Sequence, residues 1–122
     1  MKIGAAVLII DALDRLLLLK RSDVSHWMPE KWGLPGGIVE VDETAVQAAT
    51  RETAEETGLQ IFNLSSVQQL DTAEIFYTRD YVGTVKIDHE HTAWEWVRIE
   101  SMDKYETVPG VTKLFGKLIG VY

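Results

Sequence analysis

The amino-acid sequence predicts an α/β fold in which a mixed β-sheet lies between helices. Three observations point there. Short runs rich in Val, Ile, Leu and aromatic residues recur along the chain at strand length. One helix with clear start and stop signals interrupts them in the middle. A second, amphipathic helix comes at the end. Strands that outnumber the helices placed between and after them fit a sheet covered by helices.

The elements follow in order. Ile3–Ile10 is apolar and rich in Val and Ile, as a buried strand should be. Asp11–Asp14 reads as a turn, and Leu16–Lys20 as the returning strand. Arg21–Lys31 mixes Ser, Asp, Pro and Trp without periodicity and predicts a loop. Leu34-Pro35-Gly36-Gly37 predicts a turn, with Pro at its second position and Gly at its third. Thr44 is a good helix N-cap, and Gln47 completes a capping box. Gly58 suits the left-handed position past the helix end. Strands are expected over Ile61–Leu70, Ala73–Tyr77, Tyr81–Ile87 and Trp94–Ile99, with turns near Thr78–Asp80 and Asp88–Thr92. The last helix starts near Pro109, a residue allowed at the first helical position. Val111, Leu114, Phe115, Leu118 and Ile119 then share one face, and Gly120 ends it.

Composition narrows the function classes. The 122 residues suit one domain, 1–122, which at this size buries a core without disulfides or structural zinc. The absence of cysteine excludes disulfides, thiolate chemistry and cysteine-rich metal sites, and fits a reducing compartment. The apolar runs Ala5–Ile10 and Leu16–Leu19 are too short to span a bilayer. The N-terminus lacks the basic, apolar and small-residue order of a signal peptide. A soluble, cytoplasmic protein is therefore expected, as a monomer or a homodimer. The formal net charge of −7 argues against broad binding to nucleic acid, which needs a basic face. A small phosphate substrate stays open, because clustered carboxylates hold metal ions and those ions hold phosphates.

The chemistry concentrates in GGIVEVDETAVQAATRETAEETGL, Gly36 to Leu59. On the helix, Glu52, Glu55 and Glu56 fall within about 100° of arc. Nearby like charges each cost a helix roughly 0.2–0.5 kcal/mol, and hard divalent cations bind such oxygen clusters. A solvated acidic face is the bland alternative for three glutamates alone. Ala45, Val46, Ala49 and Thr53 form an adjoining small or apolar stripe that is expected to bury one side of the helix.

The spacing of the whole stretch says more. Gly37 is followed after five residues by Glu43, and seven residues later comes Arg51-Glu52-Thr53-Ala54-Glu55-Glu56-Thr57-Gly58-Leu59. This resembles the Nudix box, in which every charged and glycine position matches. Thr53 departs from the Val, Leu or Ile usual in the family. Its hydroxyl can bond back to the preceding helical turn, and a small stability cost with no lost ligand is expected. The resemblance extends to Arg21, Trp32 and Leu34-Pro35-Gly36-Gly37 upstream, and to Glu90 before Trp96 downstream. It covers about Gly4 to Ile99.

The resemblance implies the family's α/β/α sandwich and a hydrolase dependent on Mg²⁺, with Mn²⁺ accepted by some members. It makes Glu52, Glu55 and Glu56 metal ligands, commonly joined by the carbonyl of Gly37, where glycine permits close backbone approach. The general base is Glu52 in some members and a glutamate outside the box in others. Glu90 is the candidate for the second case, as base or as a further ligand. Arg51 belongs to the catalytic group by orienting Glu52 and pairing with Glu43 or Glu55. Arg21 is a candidate phosphate contact. Trp27, Phe76, Tyr77 and Tyr81 are candidates for base stacking, with packing as the alternative for each. His89 and His91 read as loop residues without the partners of a zinc site, although His91 is a candidate phosphate contact.

Features outside the box bear on substrate. The extra upstream motif of coenzyme A hydrolases and the Ser-Gln-Pro-Trp run of NADH hydrolases are absent. Ile75 stands near where ADP-ribose hydrolases have proline. Tyr77 is close to a tyrosine of dinucleoside polyphosphate hydrolases. Glu90-His91-Thr92-Ala93-Trp94-Glu95-Trp96 is similar to a late pattern of those enzymes and of nucleoside-triphosphate pyrophosphohydrolases. Lys104–Thr112 lacks the base-reading asparagine of the oxidised-guanine-nucleotide sanitiser. The expected substrate is a small linear nucleotide with three or more phosphates, a (d)NTP or a dinucleoside polyphosphate. A nucleotide sugar such as GDP-mannose is the runner-up. A nucleotide-binding regulatory domain is a third reading, which the intact box glutamates oppose. The net charge argues against 5′-triphosphorylated RNA ends.

Overall fold

A computed structural model describes residues 3–121. Strands β1 (Gly4–Ile9) and β2 (Arg15–Arg21) form from the first two apolar runs. Asp11 builds the turn between them. Its carboxylate accepts the N–H groups of Leu13 at 3.1 Å and Arg15 at 2.8 Å, and pairs with Arg15 Nε at 2.7 Å. Two short strands follow, β3 (Trp32–Gly33) and β4 (Gly36–Ile38). Helix α1 (Ala45–Thr57) starts at the Thr44 capping box with Gln47 and ends at Gly58, whose φ of 74° is left-handed.

Beyond α1 lie β5 (Gln60–Phe62), β6 (Ser65–Gln69), β7 (Ala73–Thr78), β8 (Asp80–Val82) and β9 (His91–Arg98). A 3-10 turn (Ile99–Lys104) leads to α2 (Val111–Leu118). One sheet has the order β4-β1-β7-β6 and is mixed, because β1 runs parallel to β7 and antiparallel to β4. A second, antiparallel sheet has the order β3-β2-β9, and β5 pairs with β8.

Strand alternation divides the core between two faces. Ala5, Val7 and Ile9 of β1, with Leu17 and Leu19 of β2, pack beside Ala48 and Ala49 of α1. Leu8, Ile10, Leu16 and Leu18 pack beside Val111 and Phe115 of α2. The strands are thus sandwiched between α1 and α2. Among the described residues no helix is long and apolar enough to cross a membrane.

Several expectations change. Gly36 and Gly37 do not form the turn that Pro-Gly suggests. The chain bends at Pro35, and both glycines enter β4 opposite Ala6 and Ala5. Glycine is required at 36 because a Cβ there would overlap the Ala5 carbonyl oxygen. The run Ile61–Leu70 breaks into two strands near Asn63, whose φ is 54°. The strand expected over Tyr81–Ile87 stops at Val82, before Gly83 at φ 112°. Beyond it Lys86 N–H turns to the Thr57 carbonyl at 2.8 Å, one of the unpaired acceptors at the end of α1. Strand β9 begins earlier than expected, at His91, and Ile99 opens the 3-10 turn. Gly110, not Pro109, immediately precedes α2. On α1 the buried stripe takes Ala48 in place of Val46, which is exposed.

The Thr53 hydroxyl does not bond back along the helix. It is fully buried with no hydrogen-bond partner, whereas Thr50 and Thr57 each donate to the carbonyl four residues before them. An unpaired buried hydroxyl carries a desolvation cost with nothing to offset it. Thr53→Val should therefore raise unfolding free energy by about 1 kcal/mol or more, read as a higher urea midpoint at unchanged m-value. A midpoint at or below that of the parent protein would mean that the hydroxyl is satisfied in solution.

Candidate active site

The site is built where α1 crosses β4. Glu52 and Glu56 stand one helical turn apart on the side of α1 that meets the Gly36–Gly37 backbone. The Glu56 carboxylate accepts the Gly36 N–H at 2.9 Å. A Cβ on Gly37 would run into the Glu52 carboxyl group and displace it from this position. The three box glutamates are not equivalent. Glu56 is 4% exposed, while the side chains of Glu52 and Glu55 are 15% and 57% exposed.

Arg51 ties the pieces together. Its Nε and Nη2 grip the Glu43 carboxylate at 2.8 and 3.0 Å, a bidentate pair. Its Nη1 donates to Glu52 at 2.6 Å and meets Glu55 at 3.5 Å, and its Nη2 also reaches the Ile38 carbonyl at 3.1 Å. One guanidinium thus links the loop before α1, the helix and β4.

These contacts set the proton affinities. The Arg51 hydrogen bond and the Glu40 N–H hold Glu43 down at about 2. Burial raises Glu52, against the pull of Arg51, and the charges of Glu55 and Glu90 add to the rise. Burial pushes Glu56 up to about 9. The Gly36 N–H opposes this, and the charges of Glu52, Asp88 and Glu90 reinforce it.

The turn that carries Asp88 and Glu90 lies beside α1, since Asp88 and Glu56 bring carboxylate oxygens within 4.8 Å of each other. Glu90 itself is exposed. Its N–H donates to Asp88 Oδ1 at 3.2 Å, and its carbonyl accepts the Ser22 N–H at 3.1 Å. His91 is not the loop residue expected. It opens β9 and is buried, with Nδ1 2.9 Å from Asp88 Oδ1. Glu56, Asp88 and His91 each bring a ligand atom within 4.8 Å of the others. Asp88 read only as a turn residue in the sequence. The available signal was an Asp two residues before a Glu, which suits an Asx turn.

The remaining candidates do not all converge. Arg21 is occupied by its own loop, donating to the Trp27 carbonyl at 2.6 Å and to Ser25 Oγ at 2.8 Å. Its guanidinium lies 5.1 Å from the centroid of the exposed Trp27 ring. Phe76 is core beneath α1, and Tyr81 stacks on Trp96 with centroids 5.5 Å apart. Tyr77 packs on the α2 side of the strands, away from the glutamates. It borders a shallow cavity of about 350 Å³ with Asn63, Ser65, Arg79 and Asp80.

The donor set fits a hard divalent cation. Its atoms are carboxylate oxygens, two of them held up in proton affinity by burial and by one another, and Gly37 keeps the backbone open beside them.

The family model described as NUDIX domain matches residues 1–115. A bis(5′-nucleosyl)-tetraphosphatase (asymmetrical) of Mus musculus is 30% identical over 99 residues, covering 69% of this chain and 64% of that protein. An m7GpppN-mRNA hydrolase of Danio rerio is 44% identical over 59 residues, covering 48% of this chain and 20% of that protein. Among the curated relatives compared, the chain spans from 20% to 67% of their length. The solved structure of a MutT protein from Methanosarcina mazei Go1 superposes with a TM-score of 0.76 at 30% identity. The match covers 98% of this chain and 93% of that one. With the box glutamates gathered at Gly36–Gly37 and a family match over nearly its whole length, the chain belongs to the NUDIX domain family.

Proposed function

We propose that this chain hydrolyses a phosphoanhydride bond in a linear nucleoside polyphosphate, with Mg²⁺ as its cofactor. The observation that carries the reading is the packing of Glu52 and Glu56 against the Gly36–Gly37 backbone, with Arg51 bridging Glu52 to Glu55. Glu52, Glu55, Glu56 and the Gly37 carbonyl would hold the ion. When bound, it supplies neutralising charge for the phosphate oxygens and makes a nearby water more acidic. Arg51 fixes the Glu52 carboxylate through the 2.6 Å bond. Glu52 or Glu90 takes the proton of the attacking water. The water oxygen bonds to phosphorus as the anhydride P–O bond breaks, and the leaving phosphate keeps the electron pair.

The substrate class rests on the relatives. The names of the mouse and zebrafish proteins specify nucleosides joined through a run of phosphates, which suits a (d)NTP or dinucleoside polyphosphate here. A panel of (d)NTPs, dinucleoside polyphosphates and GDP-mannose with Mg²⁺, followed by product chromatography, tests this. Activity should vanish on exhaustive chelation and return with Mg²⁺, and Glu56→Gln should lower kcat by orders of magnitude. Chelation-resistant turnover would defeat the reading, and preference for GDP-mannose would replace the substrate class.

The two candidate bases are separable. The variant that removes the base should lose about 10²–10⁴-fold in kcat and the acidic limb of its pH–rate profile. Glu90→Gln and Glu52→Gln, compared under saturating Mg²⁺, assign it. An intact acidic limb in both variants would remove both residues from that role.

Glu56 also links metal, proton and stability. Its carboxyl moves from 4.5 as the ordinary value to about 9 in the metal-free fold. The folded state then holds the proton more tightly than the unfolded chain. Its stabilising contribution is full below about pH 4.5 and is lost as pH rises through 9. Metal-free protein should therefore lose melting temperature from pH 5 to pH 9, and Glu56→Gln should flatten that slope. Identical slopes for both proteins would show that Glu56 ionises in the fold without penalty.

A further inference from the structure

The route by which Glu90 reaches the box glutamates begins in a ladder defect. Strand β2 pairs Lys20 with Ala93 and Arg21 with His91, so Thr92 is the extra residue of a β-bulge in β9. Such bulges bend a strand and re-aim its neighbours. Here the residues immediately before it fold around one carboxylate. Asp88 Oδ1 accepts the Glu90 N–H at 3.2 Å and faces His91 Nδ1 at 2.9 Å. The His91 N–H also approaches the Asp88 carbonyl, at 3.4 Å. The His91 side chain is 2% exposed and cannot swing away.

The Glu90 peptide is thus held at both ends, by Asp88 at its N–H and by the Ser22 N–H at its carbonyl. Neither bond uses the Glu90 carboxylate, which stays exposed. This matters because like charge on Glu52 repels that carboxylate in the absence of a cation. A turn without these ties would relax away from the face. The oxygen of Asp88 that faces His91 is the same one that accepts the Glu90 N–H.

We propose that Asp88, braced by His91, is a positioning residue that holds Glu90 over the box glutamates. This rests on the catalytic reading of Glu90 given above. The test is a double-mutant cycle of Asp88→Ala with Glu90→Gln, with Asp88→Asn as the conservative variant, at saturating Mg²⁺. Asp88→Ala should lower kcat about 10–100-fold, the usual cost of losing a partner behind a site residue, with little change in KM. Asp88→Asn keeps an oxygen that accepts the Glu90 N–H and should recover most of the rate. In the Glu90→Gln background Asp88→Ala should add little. Amide exchange at Glu90, followed by NMR, should speed up in Asp88→Ala and not in Asp88→Asn, whether or not substrate is present.

Each contrary result is distinct. An Asp88→Ala loss that is undiminished in the Glu90→Gln background, or no loss at all, overturns the positioning role. Equal losses in Asp88→Asn and Asp88→Ala, with a higher Mg²⁺ requirement in both, make Asp88 a ligand and overturn it too. A wild-type kcat for Glu90→Gln alone defeats the Glu90 reading first and takes this one with it.

Discussion

The close approach of α1 to the Gly36–Gly37 backbone is the contact on which the rest of the site depends. It buries Glu56 against a peptide N–H and wedges Glu52 into space that any Cβ at 37 would fill. Desolvating a carboxylate costs on the order of several kcal/mol. A hydrogen bond to a charged group returns only about 1.5–3 kcal/mol. Desolvation wins, and Glu56 keeps its proton near neutrality. A cation bound as proposed would change that balance, because it would supply the charge that the backbone N–H cannot. The geometry that makes the metal-free site uncomfortable is the geometry that makes it receptive.

Arg51 is the counterweight on the exposed side of the same contact. Its bidentate grip on Glu43 is its strongest tie, and Glu43 responds with a low proton affinity. Glu43 therefore acts as an anchor that fixes the guanidinium, leaving Nη1 to address Glu52. Glu52 is drawn both ways, raised by burial and lowered by Arg51, and so stays more readily ionised than Glu56. Two glutamates a single turn apart on one helix acquire different chemistry from what each packs against.

Local signals in the sequence were legible, and tertiary ones were not. Thr44, Gln47 and Gly58 mark the ends of α1 by bonds within a few residues, and the structure places both ends there. The family spacing made the box readable because it records a tertiary arrangement in a linear pattern. Gly36 and Gly37 misled as a turn because their reason is crowding from β1 and Glu52, neither of which is a sequence neighbour. Strand alternation separates Phe76 from Tyr77, but the sequence does not say which face α1 covers. Only the packing shows Tyr77 on the far side. Asp88, and the pairing of His91 with it, were missed for a similar reason, since their meeting lies next to a bulge defined by the register with β2.

The graded exposure of Glu56, Glu52 and Glu55 gives the three carboxylates different parts to play. Glu56 is fixed by burial and by Gly36 and has no freedom to follow a moving ligand. Glu55 stands on the rim, touching Arg51 only at 3.5 Å, and is free to change partner at little cost. In the proposed site, Glu56 would give a metal a rigid ligand and Glu55 an adaptable one. Glu90 extends the rim from the opposite side, on a turn tied by its backbone and not by its carboxylate. The rigid half of the site thus belongs to α1 and β4, and the adjustable half to side chains whose charges are left free.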